Sequence, residues 1–532
     1  MVAGVSLFAS SCAKGDVVGG VTAKRRAPVD STTSVDPANP SETLRIGVVG
    51  VDSLDPAHAN PASASSMLVA DLLFDGLTGY DATKGTVVGA LASSWGVSAD
   101  GLTWKFELDT DARFSDGSPI TAGDVKASLE RVAVLGDSTL SGIRFAAVVG
   151  DDAFVKKTAQ DISGIVAAGQ TVEVHLRAPY SPLPELLADP TFGVVKQSDV
   201  QADGFAATPI GSGPFAVTAR IGNTWSLRRV HRAGGPGRSA ALAGIAMTSF
   251  ADDGAAYAAF AQGELDESPI PKEHLGDAAN GGQQVVSAAG QVSYLYGMNV
   301  AAPALANVQL RRAILRAVDR DGLRRQLFPE AVTMAGLIGP GVSGRRDNAC
   351  GAACAYDPQV AAAAVKAAFP EGGVPTVHVD FFAEDSGREA KVATTIAANL
   401  VAAGIPAEPR SHTLAEFQHL VVTGGAELFR YGWVGSYPSA DAYLAPFETS
   451  GADNVFSLAD PELTAALAKA RSESADPARV SAYLAAEDRM FSLAPVLPLV
   501  QFQTHVVATA KVRGLVLGPD GSFDVLRLAV AE

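Results

Sequence analysis

The turn dipeptide Asp100-Gly101 and the alternation behind it constrain the fold of this chain more than any other stretch. In Leu102-Thr103-Trp104-Lys105-Phe106-Glu107-Leu108 every second side chain is apolar, so Leu102, Trp104, Phe106 and Leu108 share one face of a strand. An apolar strand face needs a cover, and a helix signal stands close by. Thr121-Ala122-Gly123-Asp124 sets a hydroxyl three residues before a carboxylate, a capping box that opens a helix reaching about Arg131. The same mixture recurs along the chain. Residues 44–51 read as a β-branched first strand, 67–73 as helix, and 172–176 and 225–230 as strands. Leu310, Ile314 and Val318 recur every fourth residue and give a helix over 308–318. Asp357-Pro358, Asp460-Pro461 and Asp476-Pro477 read as helix starts, with Asp as the cap and Pro at the first position. No short-period repeat points to a solenoid. At 532 residues the chain exceeds one hydrophobic core, so a mixed α/β fold in more than one lobe is expected.

Charge and motifs narrow the function. With 57 acidic against 41 basic residues the net charge is −16, which argues against nucleic acid and anionic membrane surfaces as partners. No apolar run approaches the length of a membrane-spanning helix. There is no G-x-S-x-G elbow, no H-E-x-x-H pair and no Walker loop. Gly339, Gly341 and Gly344 form a G-x-G-x-x-G, but the cysteine loop follows it rather than a periodic helix, so it reads as coincidence. His412 and His419 lie seven apart without an acidic arrangement that would make them a metal pair. Nothing here calls for an enzyme, a cofactor or a metal.

The cysteines and the start of the chain speak to location. Residues 1–10 are apolar and rich in small side chains, and they run into Ala9-Ser10-Ser11-Cys12. That reads as the tail of a secretory signal and resembles the lipobox of bacterial lipoproteins, with Cys12 as the lipidated residue and Ala9 where Leu is commonest. Residues 13–41 are rich in Ser, Thr, Pro, Gly and Asp without periodicity, a composition that suits a tether. Cys350 and Cys354 flank Gly351-Ala352-Ala353; a disulfide is the simplest reading, since a metal site would want further Cys or His in the loop.

One stretch looks made for a ligand. Arg430-Tyr431-Gly432-Trp433-Val434-Gly435-Ser436-Tyr437-Pro438-Ser439-Ala440-Asp441-Ala442-Tyr443-Leu444 gathers four aromatic rings, one Arg and one Asp around Gly and Pro. Aromatic walls with a few polar groups line small-molecule pockets; the competing reading is a strand and loop whose rings fill core.

Several blocks together resemble the family 5 extracellular solute-binding proteins, the oligopeptide-, dipeptide- and nickel-binding receptors of bacterial ABC importers. They are Leu54-Asp55-Pro56, Phe74-Asp75-Gly76-Leu77, residues 91–106, Phe114-Ser115-Asp116-Gly117-Ser118-Pro119-Ile120-Thr121-Ala122-Gly123-Asp124-Val125, Gly211-Ser212-Gly213-Pro214-Phe215, Gln262-Gly263-Glu264-Leu265-Asp266, 298–320, Tyr356-Asp357-Pro358 and Gly432-Trp433. The resemblance runs over about residues 42–532 and implies a two-lobed periplasmic-binding-protein-like α/β fold with a ligand cleft between the lobes. Lobe I would be 42–290 plus 497–532, with an extra subdomain at about 78–205, and lobe II 291–496. It implies a monomer outside the cytoplasm, lipid-anchored to the cell membrane, that hands a peptide or other small solute to permease transmembrane subunits. Trp433 would be a pocket wall, with Gly435 and Tyr437 beside it. Arg430 matches an Arg that lines the pocket in oligopeptide receptors and can bind a carboxylate. Peptide-binding relatives hold the α-amino group with an Asp three residues after this Trp; here that residue is Ser436, which cannot neutralise an ammonium. Asp441 is a possible substitute, and Asn60, Ser63 and Gln501 are further candidates. The Ser436 departure keeps open a ligand without a free amine (a blocked or cyclic peptide, a haem-like or siderophore-like molecule, or a glycan) and a non-transport envelope role as regulator or scaffold.

Overall fold

The computed structural model describes residues 43–135, 147–202, 204–230, 240–449, 454–518 and 520–531; Cys12 and the expected tether lie outside them. One long sheet forms the spine. Its strands follow the spatial order Ala407–His412, Val377–Phe382, Leu428–Val434, Gln284–Met298, Val496–Ala508, Glu267–Pro269, Thr43–Val49, Gly244–Phe250, Thr224–Arg229 and Phe215–Ile221, and Ala331–Thr333 also pairs with Val496–Ala508. Near one end Thr43–Val49 pairs in parallel with Gly244–Phe250; near the other Val377–Phe382 is parallel to both Ala407–His412 and Leu428–Val434. Parallel pairs need crossover connections. Helix Arg388–Ala402 supplies one of them and buries Val392, Ala393, Ile396, Ala397 and Leu400, a stripe at helical spacing.

Between these two α/β halves run the long antiparallel strands Gln284–Met298 and Val496–Ala508. Gln284 to Ala289 pair with Ala508 to Gln503, and pairing resumes at Ser293 opposite Gln501 after a register shift. A slip of this kind bends and twists a strand pair. Residues 290–292 therefore form a bulge where the chain passes from one half to the other, and the fold is the two-lobed α/β architecture that the motifs imply.

The opening hairpin is present. Strands Ala92–Val97 and Thr103–Leu108 belong to a separate four-stranded antiparallel sheet with Thr171–His175 and Ile165–Ala168. Gly101 sits at φ +74° in the connecting turn, and Trp104, Phe106 and Leu108 are buried. Helix Ala122–Leu135 brings Val125, Leu129 and Val132 into the same core, and its capping box is complete. Thr121 donates to Asp124 from its backbone N–H at 3.0 Å and its hydroxyl at 2.6 Å, and Asp124 N–H returns to Thr121 Oγ at 3.2 Å. Asp357 and Asp460 cap their helices through Val360 N–H at 2.9 Å and Leu463 N–H at 2.8 Å. Asp476 does not: the cap is Ala475, and Asp476 lies inside the first turn, where Arg479 three residues on takes its carboxylate. Cys350 and Cys354 are joined by a disulfide.

The first strand is fixed to its surroundings by charge. Asp266, 1 % exposed, accepts from Arg45 Nη2 at 2.6 Å and Arg45 N–H at 3.0 Å, and Lys511 Nζ lies 2.9 Å away. Burial alone would raise this carboxyl, but the bonds from Arg45 and Lys511 outweigh it and hold it below the usual carboxylate range. A folded-state value below the unfolded one stabilises fully above about pH 4 and is lost as pH falls through the folded value. Thermal unfolding followed from pH 5 to pH 2 should show a steep acid limb, and Asp266→Asn should flatten it while lowering the neutral-pH plateau.

Candidate functional site

Trp433 stands at one end of a cross-strand row. Ser293 pairs with Trp433 on one side and with Gln501 on the other, so Gln501, Ser293 and Trp433 stand abreast on three adjacent strands. The Trp433 ring stacks on Tyr431 at 6.3 Å and 8°, and its indole N–H donates to the Ala442 carbonyl at 2.7 Å. With Leu295, Met334, Leu337, Tyr443 and Phe447 it lines a small apolar cavity. The indole bond ties the strand end to helix Asp441–Leu444, so residues 435–440 form a bracket fixed at both ends. Tyr443 then sets the backbone of that bracket. A Cβ on Gly435 or on Gly339 would collide with its ring or hydroxyl, so the ring occupies space that only glycine at both positions leaves open.

Arg430 lies three residues before Trp433, opposite Tyr296, and is 5 % exposed. Its guanidinium lies 4.8 Å from the Tyr294 ring and 5.6 Å from Phe382, and its Nε is 3.7 Å from Glu389, which also accepts from Tyr294 Oη at 2.5 Å. Nε and Nη1 have no hydrogen-bond partner among the described residues. This guanidinium keeps unused donors, but Arg430 lines neither the Trp433 cavity nor the cleft at Ser436.

Asp441 and Tyr437 are differently placed from Ser436. Asp441 is 1 % exposed, and both of its carboxylate oxygens are occupied. Oδ1 accepts from Arg471 Nε at 2.8 Å and Tyr483 Oη at 3.2 Å; Oδ2 accepts from Tyr180 Oη at 2.9 Å and Tyr437 Oη at 3.2 Å. Arg471 also reaches Glu448 at 2.7 Å. Burial would depress Arg471, but Asp441 and Glu448 hold it charged and push it well above its ordinary value. The cluster is a latch across the molecule, since Tyr180 belongs to the segment with the four-stranded sheet. Ser181 N–H donates to the Arg471 carbonyl at 2.8 Å and Arg479 pairs with Glu185 at 2.7 Å alongside it.

Ser436 lines an open cleft whose enclosed part is about 80 Å³. It is 8 % exposed, and no group among the described residues bonds its hydroxyl. Beside it stands Gln291, from the bulge between the long strands. Its side-chain amide lies between the Gly435 carbonyl and the Asp520 N–H. Met67 and Asp71 of helix Ala64–Leu73 and Asp520 and Asp524 of the C-terminal segment face them across the cleft. Asn60 and Ser63 are not among its lining residues. Asn60 Oδ1 accepts from Ala62 N–H at 3.0 Å, and Ser63 Oγ caps helix Ala64–Leu73 through Ser66 N–H at 3.2 Å. The structure therefore places Ser436 on the cleft and Trp433 on a separate apolar cavity, sets Gln501 two strands from Trp433, and adds Gln291, Asp71, Asp520 and Asp524 to the cleft. Asp71 sits four residues after the buried Met67 on one helix face, a hint in the sequence; nothing local marks Asp520.

Residues 86–454 match the family described as "Bacterial extracellular solute-binding proteins, family 5 Middle". The glutathione-binding protein GsiB of Pectobacterium atrosepticum is 25 % identical over 507 residues, covering 91 % of this chain and 94 % of GsiB. The periplasmic murein peptide-binding protein MppA of Escherichia coli K12 is 24 % identical, covering 84 % and 86 %. Among solved structures, the clavulanic acid biosynthesis oligopeptide binding protein 2 superposes with a TM-score of 0.79 at 23 % identity, over 93 % of this chain and 96 % of that one. The match spans well over half of the chain, and the chain belongs to the family 5 bacterial extracellular solute-binding proteins.

Proposed function

We propose that this protein is the substrate-binding lipoprotein of an ABC importer, which captures a peptide or peptide-like small solute between its lobes and delivers it to transmembrane permease subunits. The observation that carries this reading is Ser436: a largely buried residue whose hydroxyl has no hydrogen-bond partner among the described residues, on a bracket tied at both ends, facing a cleft at the bulge between the lobes. Buried polar groups are ordinarily hydrogen-bonded, and a ligand supplies the missing partner. Relatives named for glutathione and murein-peptide binding favour a peptide-class solute. In this reading lobe I is 42–290 plus 497–532, with the subdomain at about 78–205, and lobe II is 291–496; the lobes close on the ligand by bending near residues 290–292. Cys12 carries the lipid, residues 13–41 are the tether, and the receptor works as a monomer outside the cytoplasm.

The test is native mass spectrometry of the full chain after incubation with a random library of tri- to pentapeptides, followed by calorimetry on the peptides retained. One peptide per chain is the expected result. Retention of haem, a siderophore or an oligosaccharide with no peptide would sink the peptide reading.

A further inference from the structure

We propose that the seam joining residues 180–185 to helices Asp441–Leu444, Pro461–Ser472 and Asp476–Leu493 is a reversible latch that sets how firmly the lobes stay shut over the cleft. The Tyr180 hydroxyl is its central contact. This rests on the lobe closure proposed above and adds the contact that holds it.

The seam runs beside the cleft and involves neither of the long strands that join the halves. Tyr180 follows strand Thr171–His175 of the four-stranded sheet and precedes helix Leu183–Leu186, after which Ala188, Asp189 and Pro190 line the cleft. Facing it, Tyr437 belongs to the bracket that carries Ser436, and Asp441 begins the helix that ends that bracket. Tyr180 Oη lies 2.7 Å from Tyr437 Oη and donates to Asp441 Oδ2 at 2.9 Å. Burial, with the charge of Asp441 adding to it, pushes the Tyr180 hydroxyl well above its ordinary value, so it keeps its proton and its role as donor. Ser181 N–H donates to the Arg471 carbonyl at 2.8 Å. Arg479 closes the end of the seam, reaching the Ser181 carbonyl at 3.3 Å and Glu185 at 2.7 Å. Tyr80, which also lines the cleft, adds a crossing bond to the Gly341 carbonyl at 3.0 Å.

The seam can part because its charges keep partners when it does. Without Tyr180, Asp441 retains Arg471 at 2.8 Å and Tyr483 and Tyr437 at 3.2 Å, all from its own side. Without Glu185, Arg479 retains Asp476 at 2.5 Å on the same helix. Opening therefore strands no buried charge, and the crossing bonds are exchanged for bonds to water. Each exchange is small, so several in parallel set a balance that a bound ligand can still shift. The bulge at residues 290–292 lets the long strands bend, and the seam supplies contacts that exist only when they have bent shut.

The first half of the test needs no ligand. Small-angle X-ray scattering of the full chain, well below its unfolding temperature, should give a larger radius of gyration for Tyr180→Phe combined with Arg479→Gln than for the wild type. A residue that served stability alone would leave that radius unchanged. Saturation with a retained peptide should return the double variant to the wild-type radius, because the ligand then supplies the closing contacts. For such a peptide, Tyr180→Phe by itself should speed dissociation by about 10-fold or more, the worth of one hydrogen bond to a charged group. Stopped-flow displacement reads that rate. A double variant as compact as the wild type would overturn the proposal, whatever the ligand is, and so would unchanged dissociation from Tyr180→Phe. Expansion of the double variant, with no peptide retained by the wild type, would uphold the latch and sink the peptide reading instead.

Discussion

Asp441→Ala is expected to cost about 3–5 kcal/mol of stability, the range for breaking a buried ion pair from one side. The carboxylate is the centre of a desolvated cluster, and its removal leaves Arg471 with Glu448 alone and deprives the Tyr180, Tyr437 and Tyr483 hydroxyls of their common acceptor. Unpaired buried donors keep their desolvation penalty, so the loss exceeds that of one bond. Tyr180→Phe, which removes a single donor from the same oxygen, should cost about 1 kcal/mol. Urea unfolding followed by circular dichroism separates the two variants. Similar small losses from both would mean that the cluster is not a latch.

Gly435→Val should leave the fold intact and weaken binding of any retained peptide by about 100-fold, the equivalent of one hot-spot contact of roughly 3 kcal/mol. Any Cβ at position 435 meets the Tyr443 ring, and the ring cannot retreat because Gly339 bounds its other side. The bracket 435–440 must therefore move, and Ser436 moves with it out of register with Gln291 and Asp520. Gly435→Val combined with Tyr443→Ala should recover much of the binding despite the cavity it makes in the core, as measured by calorimetry. If the double variant binds no better than Gly435→Val alone, the ring is not what positions the bracket.

These two residues also show where sequence is readable. The hairpin at Gly101, the box at Thr121 and the caps at Asp357 and Asp460 depend on neighbours within a few residues, so their patterns stand in the sequence and in the structure alike. Asp476 matched the same Asp-Pro signal, but Arg479 drew its carboxylate away from the cap. The order of family blocks implies the two-lobed fold, because most of the blocks hold a turn or a helix start with a local rationale. Asp441 is different. Its place near Trp433 makes it look like a pocket residue, yet three of its four partners lie 30, 42 and 261 residues away and draw it into the interior. Asp520 is the opposite case: an unremarkable loop acid that the C-terminal segment carries to the cleft.

Hydrogen–deuterium exchange of the full chain with and without a retained peptide tests most directly where the ligand lies. Bound peptide should slow exchange in fragments covering 434–440, 288–293 and 520–524 together, since these meet at one cleft. The second polar cavity beside the disulfide, lined by Arg320, Asn348, Cys354 and Tyr356, should exchange as before. Protection confined to that cavity, with 434–440 and 520–524 unchanged, would contradict a ligand seated between Ser436 and Asp520.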